Sequence, residues 1–226
     1  MIKNALIGFA LTFSTFVTPA FTGTIQDDIM KASVLIDQNC SGTIFDVKKN
    51  EDGTQNFSVL TAAHCTQAKT GESHTVNIPV VSGNILYGYV PVNSKLDVVQ
   101  APDVAVLKVE GARLSFELFP AKIGTFDDDA RLYNGMPVYC FTFGAARSPV
   151  LNTGFLGYKE DIPQFGGLMQ RTSCPAMPGS SGGGLFIDDG EGGYELIGTV
   201  TGGWSESFNI FSPLTAVAKA VADSRA

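Results

Sequence analysis

Gly179-Ser180-Ser181-Gly182-Gly183-Gly184 sets a serine among glycines, and the reading of the whole chain starts from it. Glycine lets the backbone reach positive φ, turn sharply and approach another molecule with no Cβ in the way. A chain with 25 glycines in 226 residues can produce such a frame by chance, so the frame needs partners. Two lie upstream: Thr61-Ala62-Ala63-His64-Cys65, and between them and the serine, Asp103-Val104-Ala105-Val106-Leu107. A His, an Asp and a Ser in this chain order, each in a fitting local setting, point to acyl transfer by an activated serine.

The chemistry explains each residue type. A serine hydroxyl is a poor nucleophile at neutral pH, so an imidazole must take its proton as the bond to carbon forms, and His64 is the candidate base. A buried carboxylate must hold that ring in one tautomer, and Asp103 is the candidate. Negative charge developing on the carbonyl oxygen needs fixed N–H donors, worth about 3 kcal/mol each, and those of Gly179 and Ser181 are the candidate oxyanion hole. Rivals exist at every position. His74 reads as an exposed strand end. Asp97 also precedes apolar residues, but Gln100, Ala101 and Pro102 interrupt its run, whereas Asp103 leads an unbroken one. The Gly-x-Ser-Gly-Gly frame selects Ser181 over Ser180.

On these residues the chain resembles the chymotrypsin-like serine endopeptidases of the trypsin superfamily, from about Ala32 to the C-terminus, and compact bacterial and viral members more than digestive ones. Cys40-Ser41-Gly42-Thr43 with Val59-Leu60-Thr61-Ala62-Ala63-His64-Cys65 resembles the family's paired cysteines around the catalytic histidine, which implies a Cys40–Cys65 disulfide. Leu196 to Gly203 resembles the strand that pairs with substrate. That implies substrate binding by Thr201, Gly202 and Gly203, with Thr201 behind the Asp103 carboxylate. Pro175 stands where trypsin-like enzymes carry an aspartate. With Ala176 it implies a neutral pocket favouring apolar or small side chains. Ser180 replaces the aspartate that pairs with a newly cut N-terminus in digestive members, which implies direct folding into an active form.

The implied fold is all-β, two six-stranded antiparallel barrels with a C-terminal helix. Short runs rich in Val, Ile, Phe, Tyr and Thr agree with it. The first half gives strands 33–37, 57–62, 75–81, 85–92 and 104–109; the second gives 138–143, 154–158, 167–172, 184–187 and 195–201. The irregular stretch between Gly111 and Arg131 places the crossing there, with barrel one over about 25–112 and barrel two over about 130–226. His64 and Asp103 then sit on one barrel and Ser181 on the other, with the site in the cleft. The last segment reads as the helix, with Ser212 as N-cap, Pro213 in the first turn, and Leu214, Val217, Ala218 and Val221 at helical spacing.

Met1-Ile2-Lys3, an apolar run from Ala5 to Val17 and Thr18-Pro19-Ala20 have the layout of a secretory signal peptide over residues 1–20, leaving one protease domain over 21–226. The run is shorter than the ~20 apolar residues of a membrane span. Export gives the cysteines an oxidising compartment, and Cys140 and Cys174 are then left for each other. No close Cys-x-x-Cys spacing suggests zinc, and no metal or cofactor is implied. The net charge is −7 with no basic cluster, so neither nucleic acid nor an anionic membrane is an expected partner. The acidic runs at Asp127–Asp129 and Asp188–Glu191 read as solvated turns. The expected partner is a protein or peptide substrate, the expected state a secreted or periplasmic monomer. Two other readings stand beside it: an inactive protease-like binding protein, and an anchored intracellular protease acting on a viral or phage polyprotein.

Overall fold

The computed structural model describes residues 24–66, 71–82, 85–125, 127–144, 149–205 and 208–226; the expected leader lies outside them. Six strands close the first barrel: β1 (Ser33–Ile36), β2 (Cys40–Lys49), β3 (Gln55–Ala62), β4 (Ser73–Ser82), β5 (Ile85–Gln100) and β6 (Val104–Ala112), in the spatial order β1-β2-β3-β6-β5-β4. A connector leads through the two-residue strand β7 (Lys122–Ile123) to β8 (Pro137–Thr142), β9 (Val150–Ile162), β10 (Gly167–Thr172), β11 (Gly184–Asp188), β12 (Tyr194–Ser205) and β13 (Phe208–Ser212). These follow the order β11-β8-β9-β10-β13-β12, and pairing of β11 with β12 closes the second barrel; β7 lies parallel to β12 outside it.

Burial on both faces explains why Val104–Leu107 of β6 reads as an unbroken apolar run and why β3 shows no clean alternation. Successive strand side chains point to opposite faces. Val59, Ala105 and Leu107 fill the interior of the first barrel with Val34, Ile44 and Val76. Leu60, Val104 and Val106 point the other way, into a shared core with Phe141, Phe143, Phe186 and Leu196 of the second half. A strand buried on both faces has no polar face to show, so its sequence cannot alternate. Fully burying each such side chain contributes about 1.5–3 kcal/mol.

The C-terminal helix α2 (Leu214–Arg225) packs Val217, Ala220 and Val221 into the same shared core. Its start corrects the sequence reading. Pro213 is the N-cap, with no side-chain cap hydrogen bond, and Ser212 is instead the last residue of β13, fully buried. A second helix, α1 (Thr24–Ala32), was not expected. It ends where the Ser33 hydroxyl donates to the Ile29 carbonyl at 2.8 Å. Strand β2 also escaped the pattern. It is paired with β1 from Ser33↔Thr43 to Ile36↔Cys40, across a turn in which Asp37 and Gln38 hold φ values of 46° and 66°.

Candidate active site

His64 sits in a 3-10 turn, Ala63–Cys65, directly after β3. The Cys40–Cys65 disulfide ties this turn to the start of β2. Asp103 occupies the turn residue before β6, at φ 48°, in the left-handed region that costs a non-glycine residue energy. Its carboxylate accepts two hydrogen bonds from His64: the backbone N–H on Oδ1 and Nδ1–H on Oδ2, both at 2.8 Å. This fixes the ring in the tautomer whose Nε2 is a free acceptor. The Asp103 side chain is 8% exposed and the His64 side chain 47%, a buried orienter under an accessible base. The hydrogen bond that His64 donates to Asp103 pushes the imidazole above its ordinary pKa of 6.5; burial pulls the other way and the carboxylate charge adds to the rise.

Ser181 comes from the second barrel, and its turn is docked on the end of β3. Gly182 holds φ 83°, and a Cβ there would fall 2.1 Å from the Ser41 carbonyl and 2.2 Å from the Thr61 hydroxyl, so no other residue fits. Met177-Pro178-Gly179-Ser180 forms the preceding turn, closed by Ser180 N–H on the Met177 carbonyl at 2.8 Å with Gly179 at φ 92°. Proline second and a positive-φ glycine third is the type II pattern. The Ser180 carbonyl accepts from Gly183 N–H at 2.9 Å, which fixes the peptide plane carrying the Ser181 N–H. Among the described residues no internal acceptor takes the N–H of Gly179 or Ser181.

Ser41 joins these parts, and nothing in its local sequence marks it beyond its place after Cys40. Its N–H donates to the Ser181 carbonyl at 2.6 Å. Its hydroxyl donates to the Gly179 carbonyl at 2.7 Å and accepts from Phe143 N–H at 2.8 Å. Thr61 donates its hydroxyl to the Ser41 carbonyl at 2.8 Å. Ser180, where digestive relatives have a charge, is buried and donates its hydroxyl to Thr142 at 3.1 Å.

Two readings change, those of Thr201 and His74. Thr201 does not meet the Asp103 carboxylate: its hydroxyl bonds that of Ser212 at 3.1 Å, and Ser212 donates to the Pro102 carbonyl at 2.7 Å. The Ser212 side chain is therefore a tether between barrels. His74 is buried rather than exposed, with Nδ1 2.6 Å from Asp37. Asp97 lies on β5 paired with Lys108 at 3.1 Å, away from His64. The acidic runs form hydrogen-bonded turns with cation partners: Asp128 with Thr125 and Arg131, Asp129 with Lys159, Asp189 with the N–H groups of Glu191 and Gly193. The Ser181 hydroxyl donates to the Thr201 carbonyl at 3.4 Å, not to His64.

On its β11 side β12 is held as far as Val200, whose N–H donates to the Gly183 carbonyl at 2.8 Å and whose carbonyl accepts from Gly182 N–H at 2.7 Å; beyond it no backbone partner on that side is found among the described residues, while Gly202 and Gly203 pair with Ile210 and Asn209 of β13 on the other. One edge beside Ser181 is thus open to an extended peptide. Cys140 and Cys174 are bridged, which anchors β8 to the segment leading through Pro175 and Ala176 to the nucleophile turn.

Comparison with known proteins agrees with this layout. No curated protein matches the chain. Among solved structures, the HtrA-type protease AlgW, in a serine-to-alanine form with a tripeptide, superposes with a TM-score of 0.61 at 16% identity over 85% of this chain; this chain spans 60% of that one. Rv3671c from M. tuberculosis H37Rv, a serine-to-alanine mutant in an inactive form, gives 0.61 at 15% identity over 90% of this chain and 91% of that chain. The family model for the trypsin-like peptidase domain matches residues 40–198, and the chain belongs to that family of serine-type peptidases.

Proposed function

We propose that the chain is an exported serine endopeptidase in which His64, Asp103 and Ser181 form the triad. The observation that carries this reading is the His64 Nδ1–Asp103 contact at 2.8 Å beside a nucleophile turn clamped by Ser41. His64 Nε2 takes the Ser181 proton as Oγ bonds to the substrate carbonyl carbon. The N–H groups of Gly179 and Ser181 receive the resulting oxyanion. Imidazolium then gives the proton to the leaving amine as the C–N bond breaks, and water repeats the sequence on the acyl-enzyme. A rotation of the Ser181 side chain from Thr201 toward His64 comes first; such contacts commonly tighten only when substrate binds. Two disulfides and the leader-like N-terminus support export. The neutral Ser180–Thr142 contact supports direct folding into an active form, with no charged N-terminus to bind.

The Ser181–Thr201 contact favours a second reading, a protease-like binding protein without turnover. Labelling of the mature protein with a fluorophosphonate, followed by mass spectrometry, separates the two. The expected result is one adduct on Ser181, absent from Ser181→Ala and from heat-denatured protein. A folded chain that takes no label has no assembled nucleophile, and the binding reading then stands.

A further inference from the structure

We propose that Asn209 determines the specificity of this site: its side-chain carbonyl accepts a hydrogen bond from a carboxamide on the substrate residue whose carbonyl is attacked. This rests on the protease reading above. Asn209 is fully buried on β13 and lies opposite Gly203 in the β12–β13 ladder, so the two share a face. Its Nδ2 donates to the Cys174 carbonyl at 2.8 Å, and Cys174 begins the segment that ends in Ser181. The side chain therefore spans the two backbone segments that flank the nucleophile.

The Cys174 contact also settles which amide atom is which. Two carbonyl oxygens at that separation would repel, so nitrogen faces Cys174 and oxygen is the atom left over. That Oδ1 is buried and has no hydrogen-bond partner among the described residues. An unpaired buried acceptor costs stability, and a native fold keeps one where something else satisfies it. Along those two segments Pro175, Ala176, Thr201, Gly202 and Gly203 carry no charge. A lysine or arginine side chain would find no counter-ion among these five residues, a carboxylate would face a carbonyl oxygen, and an apolar chain would leave that oxygen unpaired. An uncharged donor satisfies it, and Asn and Gln carry one at the end of the side chain. The oxygen is closed to solvent in the ligand-free chain. The substrate side chain reaches it by parting the two segments that Asn209 joins, the one that starts at Cys174 and the one that carries Gly203.

The test is a set of fluorogenic peptides differing only at this residue, as two isosteric series: Gln, Met and Glu, and Asn, Leu and Asp. In one series or the other, according to the depth of the slot, the carboxamide is expected to exceed its apolar isostere by at least about tenfold in kcat/KM and the acid by more. In Asn209→Ala that preference, read as the ratio of carboxamide to isostere, should fall to about twofold or less. Peptide aldehydes ending in Gln or Met, and in Asn or Leu, tested on the unaltered protein, read the same preference without relying on a variant that folds. Equal cleavage of carboxamide and isostere in both series overturns the inference. So does an Asn209→Ala chain that loses all substrates in proportion, since Asn209 would then only brace Cys174. A protein that neither cleaves nor labels refutes the protease reading itself, and this inference with it.

Discussion

Ser41 carries more of the proposed chemistry than its size suggests. Its hydroxyl is the only side-chain group among the described residues that touches the Gly179 carbonyl, and loss of it frees the turn bearing both oxyanion donors. Ser41→Ala is expected to lower kcat by about 10- to 100-fold with KM changed little, because the affected contact matters most when charge develops. A matching rise in KM would mean that Ser41 shapes the substrate site instead. At His64 the upward shift has a definite sign. Only the neutral ring accepts a proton, so kcat/KM should climb with pH through a midpoint above the ordinary 6.5. Asp103→Asn should cost about four orders of magnitude in kcat and bring that midpoint down, since the hydrogen bond that raises it is lost. A midpoint that does not move in the variant would separate Asp103 from the titration.

At the scale of elements, legibility followed how many faces a strand buries. Strands β3 and β6 announced themselves because interior and shared core both demand apolar residues. The sequence shows strand β5 only as far as 92, and its 93–100 half and the Asp46-to-Lys49 end of β2 carry polar or mixed residues that sequence patterns assign to loops. Ser212-Pro213 looked like a helix start because a serine before a proline has the right chemistry for one. Only the fold reveals that the hydroxyl faces Pro102 instead. Among the candidate site residues, His64 Nδ1 and Asp103 Oδ2 lie 2.8 Å apart. Ser41, Ser212 and Asn209 were invisible because their roles arise from long-range contacts, and no local signal marks those. The two-faced strands also predict where truncation hurts. Leu107→Ala, inside the first barrel, is expected to lower unfolding free energy by about 2–5 kcal/mol in urea titrations. Val99, half exposed on β5, tolerates alanine with a change of about 0.5 kcal/mol or less. Equal costs at the two positions would contradict the placement of the core.

Across the whole molecule, acid-side stability and activity pull in opposite directions at one residue. A His64 pKa raised in the folded chain contributes stability that is complete below about 6.5 and fades as pH rises through the folded value, while turnover needs the ring after that fade. Unfolding midpoints measured between pH 5 and 9 should show this component, and Asp103→Asn should remove it.

The contacts described between the barrels also have a mechanical meaning. Ser41 grips the nucleophile turn from one side, and Ser212 grips the Pro102 segment from the other. The same bonds that hold the halves against each other set the reacting groups in place, so alignment and cohesion fail together. A small parting of the barrels, too slight to disturb either sheet, is enough to silence the enzyme. Turnover is thereby a gauge of how firmly the two halves are seated, and in rising denaturant it should vanish before the circular dichroism of the strands begins to fall.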